Sequence, residues 1–190
     1  MKKLLFFSII SLLLLSSCSQ NFKQAPKNNI TIYGDYKCPY CKKVEKSIFP
    51  KLKKEYIDTG KARYKFINMA FLGKDSIKGS RASYAVKKIE PKAYLNFQYN
   101  LFMKQPKNEN LWITNTLIDK EINKLHISEK NKKAIKKEYK TKNSESWQKA
   151  NKDKKFAKKN NIKSAPTVYI NNKKIKNPYN IKEYKEQLKD

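Results

Sequence analysis

Two cysteines separated by two residues lie between a strand-like segment and a helix-like segment, and this arrangement constrains the fold more than any other feature. The preceding segment, residues 29–36, is rich in β-branched and aromatic residues and predicts a strand. Within Cys38-Pro39-Tyr40-Cys41, the proline suits the first turn of a helix because its missing N–H needs no partner there. Apolar residues then recur at helical spacing, namely Cys41, Val44, Ile48 and Leu52. Pro50 should kink or break this helix.

The third cysteine stands at the end of an apolar leader. A positively charged start, residues 1–3, precedes an unbroken run of apolar residues and Ser over residues 4–15. The run is too short to span a bilayer as a mature helix and is typical of a signal-peptide core. Leu15-Ser16-Ser17-Cys18 resembles the lipobox of bacterial lipoproteins, in which the leader is cut before a cysteine that becomes diacylated. We expect residues 1–17 to be removed and Cys18 to carry the lipid; an ordinary secretory signal with an incidental cysteine is the alternative.

The remaining pair, Cys38 and Cys41, indicates redox chemistry. Cysteines this close on one helix start cannot tie down a distant loop, which excludes a disulfide scaffold. A structural zinc site needs four ligands, and the only other soft ligand is His126, so we expect no metal. A helix start stabilises a thiolate at Cys38, whereas Cys41 faces the core as the resolving thiol. Nearby lysines should add positive potential: Lys37, Lys42 and Lys43.

The rest of the chain predicts an α/β domain with an all-helical insertion. Residues 18–29 are polar and form a tether between lipid and domain. A second strand over residues 62–69 follows the first helix so closely that the two strands should be parallel. From about residue 74 to about residue 160 the apolar spacing is helical. A hairpin with its turn at Asn171-Asn172 and a helix over residues 181–188 complete the order βαβ, helical insert, ββα.

Together these features resemble the DsbA family of thiol–disulfide oxidoreductases. The resemblance rests on the Cys-Pro-Tyr-Cys motif at a helix start, the helical insertion, and Ala165-Pro166-Thr167 at the start of a late strand. It runs from about Ile30 to Leu188 and implies one domain over residues 30–190 with a thioredoxin-like fold. Thioredoxin itself shares the motif and the proline but lacks the insertion.

The resemblance implies roles for individual residues. Pro166 should be cis and lie against Cys38, although an ordinary trans proline at an edge strand is the alternative. Because proline donates no hydrogen bond, the backbone of Ala165 should be free to pair with an extended substrate strand, next to Thr167. The two residues between the cysteines, Pro39 and Tyr40, should tune the redox potential and access. The redox-active disulfide then serves without a cofactor.

The sequence departs from the family at three places. A glutamate that commonly stands six residues before the first cysteine and relays protons is Ile32 here, which leaves the proton acceptor for Cys41 open. The residue before the cis-proline is Ala165, where the family often has Thr. The glycines that flank this loop are replaced by Asn161 and Ser164. We expect these changes to leave the fold intact and to alter substrate preference.

A large excess of positive charge keeps a binding function open. The chain has 44 basic and 16 acidic residues, for a net charge of +28. Such an excess attracts teichoic acids, anionic lipid or nucleic acid. The basic residues are almost all lysine, with Arg63 and Arg81 the exceptions, so we expect no specific nucleic-acid recognition.

These features favour an enzyme that is lipid-anchored at the extracytoplasmic face of the cell membrane. It would donate the Cys38–Cys41 disulfide to unfolded or reduced exported proteins. A membrane partner or a small-molecule oxidant would then reoxidise it. A reductase or isomerase of the same fold is the first alternative, and a polyanion-binding lipoprotein is the second.

Overall fold

The computed structural model of the protein describes residues 25–107 and 110–188. The predicted leader and Cys18 lie outside these ranges, as does most of the predicted tether. The strands are β1 (Asn28–Gly34), β2 (Ala62–Asn68), β3 (Thr167–Ile170) and β4 (Lys173–Lys174). The α-helices are α1 (Pro39–Ser47), α2 (Phe49–Leu52), α3 (Ser76–Ile89), α4 (Tyr94–Met103), α5 (Asn115–Asn123), α6 (Glu129–Lys140), α7 (Glu145–Lys159) and α8 (Ile181–Gln187). A π-helical turn (Lys53–Ile57) follows α2, and a 3-10 turn (Pro91–Ala93) precedes α4.

The strands form one mixed sheet in the order β2-β1-β3-β4. β1 and β2 are parallel, whereas β3 is antiparallel to both β1 and β4. The turn between β3 and β4 has positive φ angles of 49° at Asn171 and 69° at Asn172, a conformation that asparagine tolerates. The predicted α/β class with a thioredoxin-like fold is thereby confirmed.

The strand before the cysteine motif is shorter at its end than predicted. β1 stops at Gly34 rather than Tyr36, because the chain turns at Asp35. The backbone N–H of Cys38 donates to the carbonyl of Asp35 at 2.9 Å, which closes this turn. The turn places Cys38 immediately before Pro39, the first residue of α1.

The helix after the motif breaks where proline was predicted to break it. α1 ends at Ser47, and α2 begins at Phe49 with Pro50 in its first turn. Pro50 lacks the N–H that would continue the helical hydrogen bonds, so the chain restarts with a new turn. The predicted apolar stripe of this segment is buried; its members are Cys41, Val44, Ile48 and Leu52.

Helices α3 to α7 lie between β2 and β3 in the chain, and α3 packs against α6 and α7. Side-chain caps mark three helix starts, since the hydroxyls of Thr114, Ser128 and Ser144 each accept a backbone N–H three residues later. None of the helices in the described ranges is long and apolar enough to cross a bilayer.

An aromatic cluster joins the insertion to the sheet beneath the cysteine motif. The ring of Tyr36 lies 5.3 Å from that of Phe66 on β2 and 4.8 Å from that of Phe102 on α4. The rings of Phe66 and Phe102 are 5.5 Å apart and perpendicular. Aromatic pairs at such distances add about 1 kcal/mol each to the gain from burial. The cluster therefore holds α4 of the insertion against the site.

Candidate active site

Cys38 lies where β1 has ended and α1 begins. Its Sγ accepts a hydrogen bond from the backbone N–H of Cys41 at 3.3 Å, so Cys38 itself caps the helix. A glycine is required behind the pair, because a Cβ at Gly34 would lie 2.6 Å from the ring of Phe66 and 3.3 Å from the Sγ of Cys41. Both cysteines are reduced and buried. One sulfur thus sits at a helix start, and the other packs against β1.

The two thiols have pKa values shifted in opposite directions. The pKa of Cys38 is lowered, chiefly by a hydrogen bond from the Cys41 thiol and also by backbone N–H groups of Cys41 and Tyr40, although burial opposes this. The pKa of Cys41 is raised, because burial disfavours its thiolate and because it hydrogen-bonds to Cys38. Since the thiolate is the reactive form, Cys38 is the nucleophile of the pair.

The loop just before β3, which contains Ala165 and Pro166, contacts the sulfur of Cys38. The Ala165–Pro166 bond is cis, as the resemblance predicts. The Sγ of Cys38 lies 3.5 Å from the carbonyl oxygen of Ala165. The prediction that both backbone groups of Ala165 are free is therefore wrong for the carbonyl, which Cys38 contacts in the reduced protein. The N–H of Ala165 has no acceptor within the described residues, so it is available to an extended substrate chain.

Thr167 supports this loop. It is buried at the first position of β3, and its hydroxyl donates to the carbonyl of Ser164 at 2.8 Å. Thr167 therefore holds the proline loop in place, and the carbonyl of Ala165 in this loop lies against the Cys38 sulfur.

A cleft of about 390 Å³ opens beside Cys38. Pro39 and Tyr40 lie on its solvent side, and Tyr40 is 63% exposed. Phe71 and Leu72, which are 50% and 40% exposed, form an apolar wall of the cleft. Exposed large apolar side chains around a reactive sulfur are typical of a surface that binds another protein.

Comparison with known proteins agrees with this geometry. Residues 23–190 match the family model described as Thioredoxin. The chain is 38% identical over 156 residues to disulfide bond formation protein D of Bacillus subtilis strain 168, covering 82% of this chain and 68% of that protein. A probable disulfide bond formation protein D of Bacillus anthracis is 34% identical, covering 73% of this chain and 63% of that protein. The chain thus spans about two thirds of the length of these curated relatives.

Two solved structures show the same likeness. The crystal structure of oxidised BdbD from Bacillus subtilis matches with a TM-score of 0.73 and 36% identity, covering 87% of this chain and 86% of that chain. Chlamydia trachomatis DsbA matches with a TM-score of 0.68 over 86% and 85% of the two chains, and at 19% identity it shows the fold alone. This chain belongs to the thioredoxin family and is a DsbA-like protein disulfide oxidoreductase.

Sequence analysis missed a buried carboxylate beside the cysteines of this DsbA-like protein. Asp35 accepts hydrogen bonds from the backbone N–H of Lys37 at 2.9 Å, of Phe71 at 2.8 Å and of Leu72 at 3.1 Å. The Ser76 hydroxyl donates to it at 2.5 Å. Asp35 therefore fixes the apolar wall of the cleft. An Asp at the end of a strand and three residues before a helix-capping residue is a turn signal that was available in the sequence.

The predicted electrostatic support from Lys37 is wrong. Its ammonium is buried and pairs with Asp75 at 2.9 Å, so its charge is neutralised. Lys42 donates to the carbonyl of Gln105 at 2.9 Å. The ammonium of Lys43 lies 4.6 Å from the centre of the Tyr179 ring. Hydrogen bonds, rather than lysines in contact with the sulfur, lower the pKa of Cys38.

The helix that carries the cysteines also carries a second buried acid that was missed. Ile32, at the position where the family commonly has a glutamate, is buried, and Glu45 lies one turn beyond Cys41 and is 3% exposed. Burial raises the pKa of Glu45 to about 8, although a hydrogen bond from the Gln98 side chain opposes this. A glutamate within the apolar stripe of α1 was the available sequence signal.

No group of three or more potential metal ligands from His, Cys, Asp and Glu is found within residues 25–107 and 110–188. The chemistry of the Cys38–Cys41 pair needs no cofactor, because the two electrons are carried by the sulfur–sulfur bond itself.

Proposed function

We propose that this protein is a lipid-anchored thiol oxidase that donates its Cys38–Cys41 disulfide to exported proteins during their oxidative folding. The strongest support for this proposal is that the pKa of Cys38, at a helix start, is lowered while the pKa of Cys41 is raised. Stabilising the Cys38 thiolate stabilises the reduced form. A more stable reduced form makes the disulfide a stronger oxidant.

The proposed reaction is two successive thiol–disulfide exchanges. A client thiolate attacks the Sγ of Cys38, the Cys38–Cys41 bond breaks, and Cys41 leaves and takes up a proton. A second client thiolate then attacks the client sulfur of the mixed disulfide, and Cys38 leaves as a thiolate. The client loses two electrons as its disulfide forms, and the enzyme gains them as its disulfide opens. A membrane partner or a small-molecule oxidant would remove them to complete the cycle.

The cleft beside Cys38 suits an unfolded client. Its apolar wall of Phe71 and Leu72, together with Tyr40, offers contact area to apolar side chains that flank a client cysteine. The N–H of Ala165 is placed to hydrogen-bond the client backbone. Such contacts do not depend on a particular client sequence, so we expect broad substrate use.

A reductase or isomerase of the same fold is the second candidate. The carboxylate of Asp35 raises the pKa of both cysteines, which works against a strongly oxidising pair. The hydrogen bonds to Cys38 favour the oxidase, and the charge of Asp35 opposes them.

Measuring the Cys38 pKa and the reduction potential on one sample separates the two candidates. The pKa comes from thiolate absorbance, and the potential from equilibration with glutathione mixtures. For the oxidase we expect a Cys38 pKa clearly below that of an ordinary thiol and a potential well above the roughly −270 mV of thioredoxin. A pKa near 8 together with a potential near thioredoxin's would overturn the oxidase and favour the reductase.

Anchoring at the extracytoplasmic face of the membrane is also part of the proposal, and the lipobox-like residues 15–18 support it. Cys18→Ala should either release an active domain from the membrane or leave an unprocessed precursor with its leader attached. Fractionation and mass spectrometry of the N-terminus distinguish these forms. A disulfide to Cys18 in the mature protein would contradict the assignment, because the lipidated sulfur carries no free thiol.

A further inference from the structure

A second and larger cleft, of about 810 Å³, lies at the first halves of β1 and β2 rather than at their cysteine ends. Its walls are the edge strand β2 and the helices α3 and α7 of the insertion. It shares no lining residue with the cleft beside Cys38. An occupant of this second cleft would therefore leave the disulfide accessible.

Six of the residues that line this cleft are basic and one is acidic; the basic ones are Arg63, Lys65, Lys87, Lys88, Lys149 and Lys152. Lys88 and Lys149 are paired with Glu145 at 3.0 Å and 2.6 Å. The other four form no ion pair with any carboxylate in the described part of the chain. The cleft thus has an excess of cations that the described residues do not neutralise.

The unpaired lysines converge from three separate elements. Lys65 comes from β2, Lys87 from α3 and Lys152 from α7. Burial raises the pKa of Asp153, and all three lysines lie close enough to oppose that rise with their charges. Burial lowers the pKa of Lys87. The charge of Asp153 opposes this shift, whereas the charges of Lys149 and Lys65 add to it. Like charges held this close repel each other, so a bound anion would relieve the repulsion.

Aromatic rings form the rest of the cleft and hold two of the lysines in place. The ammonium of Lys87 lies 4.9 Å from the centre of the Tyr94 ring, and that of Lys65 lies 5.4 Å from the centre of the Phe156 ring. Phe156 is 40% exposed. The cleft therefore offers apolar surface beside its charges, which suits an anion that carries a carbon skeleton.

The position of the cleft indicates the source of that anion. The chain enters β1 at Asn28, and the cleft begins at Asn29. If Cys18 carries the lipid, nine residues lie between the anchor and Asn28, the first residue of β1. A chain of that length spans at most about 35 Å when extended. The cleft thus opens at the end of the domain where the chain enters β1, and a lipid on Cys18 would hold this end within that distance of the phospholipid head groups.

We propose that this cleft binds the phosphate head group of an anionic phospholipid and so holds the domain against its own membrane with Cys38 directed away from it. This inference rests on the proposed lipid anchor and is independent of the direction of the redox reaction. The phosphate would lie among Lys65, Lys87 and Lys152, and the glycerol backbone would contact Phe156.

The test is amine acetylation of the full lipidated protein, with the rate at each lysine read by mass spectrometry. The protein is anchored either in phosphatidylcholine vesicles or in vesicles that also contain phosphatidylglycerol. We expect acetylation of the three cleft lysines to be about five-fold slower with phosphatidylglycerol, and the difference to disappear in high salt. The control lysines on α6 are exposed and form no ion pair in the described ranges; they are Lys130, Lys133 and Lys137. Equal slowing at the control lysines would overturn the proposal.

Two further measurements test whether free phosphate can replace the lipid and whether any basic surface would give the same protection. Inorganic phosphate added to the protein in pure phosphatidylcholine vesicles should leave the cleft lysines reactive; protection equal to that by phosphatidylglycerol would overturn the lipid as the ligand. In the parent protein, phosphatidylglycerol should also slow the acetylation of Lys149, which lines the same cleft. The variant Lys65→Gln/Lys87→Gln/Lys152→Gln should lose this protection of Lys149. The variant Lys130→Gln/Lys133→Gln/Lys137→Gln removes the same charge and should keep it. Loss in both variants would show general attraction to a basic surface and overturn the site.

Discussion

The Nζ atom of Lys37 lies 2.9 Å from the Oδ1 atom of Asp75, and both side chains are at most 5% exposed. This buried ion pair stands one residue before the reactive cysteine. Asp75 also accepts the backbone N–H groups of Trp112 and Ile113, at 2.9 Å and 3.0 Å. The pair therefore joins the cysteine motif, the loop after β2 and the segment before α5.

Replacing Lys37 should cost stability. We expect Lys37→Gln to lower the free energy of unfolding by about 3 kcal/mol, because it leaves the Asp75 carboxylate buried without its counter-charge. Urea unfolding of the reduced protein at pH 7 measures the loss. Lys42→Gln is the matched control, since the Lys42 ammonium bonds a backbone carbonyl, and it should cost less than about 1.5 kcal/mol. Equal losses in the two variants would contradict this role.

Removing the Asp35 carboxylate should make the pair more oxidising. The charge of Asp35 raises the pKa of Cys38 and of Cys41, so Asp35→Asn should lower both. A lower Cys38 pKa stabilises the reduced form and raises the potential by up to about 30 mV per unit. Thiolate absorbance and glutathione equilibration report the two changes, and Asp58→Asn at an exposed site is the control. An unchanged or raised Cys38 pKa in Asp35→Asn would refute the electrostatic role.

Glu45 should make stability fall as pH rises. Its pKa is about 8 in the folded protein and near 4.5 when unfolded, so the folded state binds its proton more tightly. The free energy of unfolding should therefore decrease between about pH 4.5 and pH 8. Relative to the parent, Glu45→Gln should gain roughly 2–4 kcal/mol between pH 5 and pH 9, because it needs no proton to stay neutral. Urea unfolding at both pH values tests this, and Glu186→Gln, at an exposed position, should show no such gain.

Replacing each of the two cysteines should impair the reaction at a different step. Cys38→Ser should abolish oxidation of a reduced client protein, because the sulfur that the client thiolate attacks is lost. Cys41→Ser should instead accumulate mixed disulfides between Cys38 and clients, since the second thiol that releases them is missing. Non-reducing electrophoresis followed by mass spectrometry identifies the linked residues. Oxidase activity that survives in Cys38→Ser, or client adducts at Cys41, would reverse the assignment of roles.

Local patterns in the sequence were sufficient to predict the strand, helix and turn around the site. Strand composition, the proline after Cys38 and the asparagine pair at 171–172 each act over a few residues. The structure has α1 and the β3–β4 turn where they were predicted, and β1 differs only in ending at Gly34 instead of Tyr36. Pro50 broke its helix for the same local reason, a missing N–H. The cis form of Pro166 followed from the family resemblance rather than from any local pattern.

The charges around the site depended on packing instead. Lys37 neutralises Asp75 instead of supporting the Cys38 thiolate, because the folded chain packs Asp75 against it. Asp75 is 38 residues away in the sequence, so no local pattern indicates this pairing. The burial of Asp35 and Glu45 and the convergence of lysines from β2, α3 and α7 have the same origin. A side chain's electrostatic effect falls with distance and depends on solvent exposure, and both quantities exist only once the insertion has packed against the sheet.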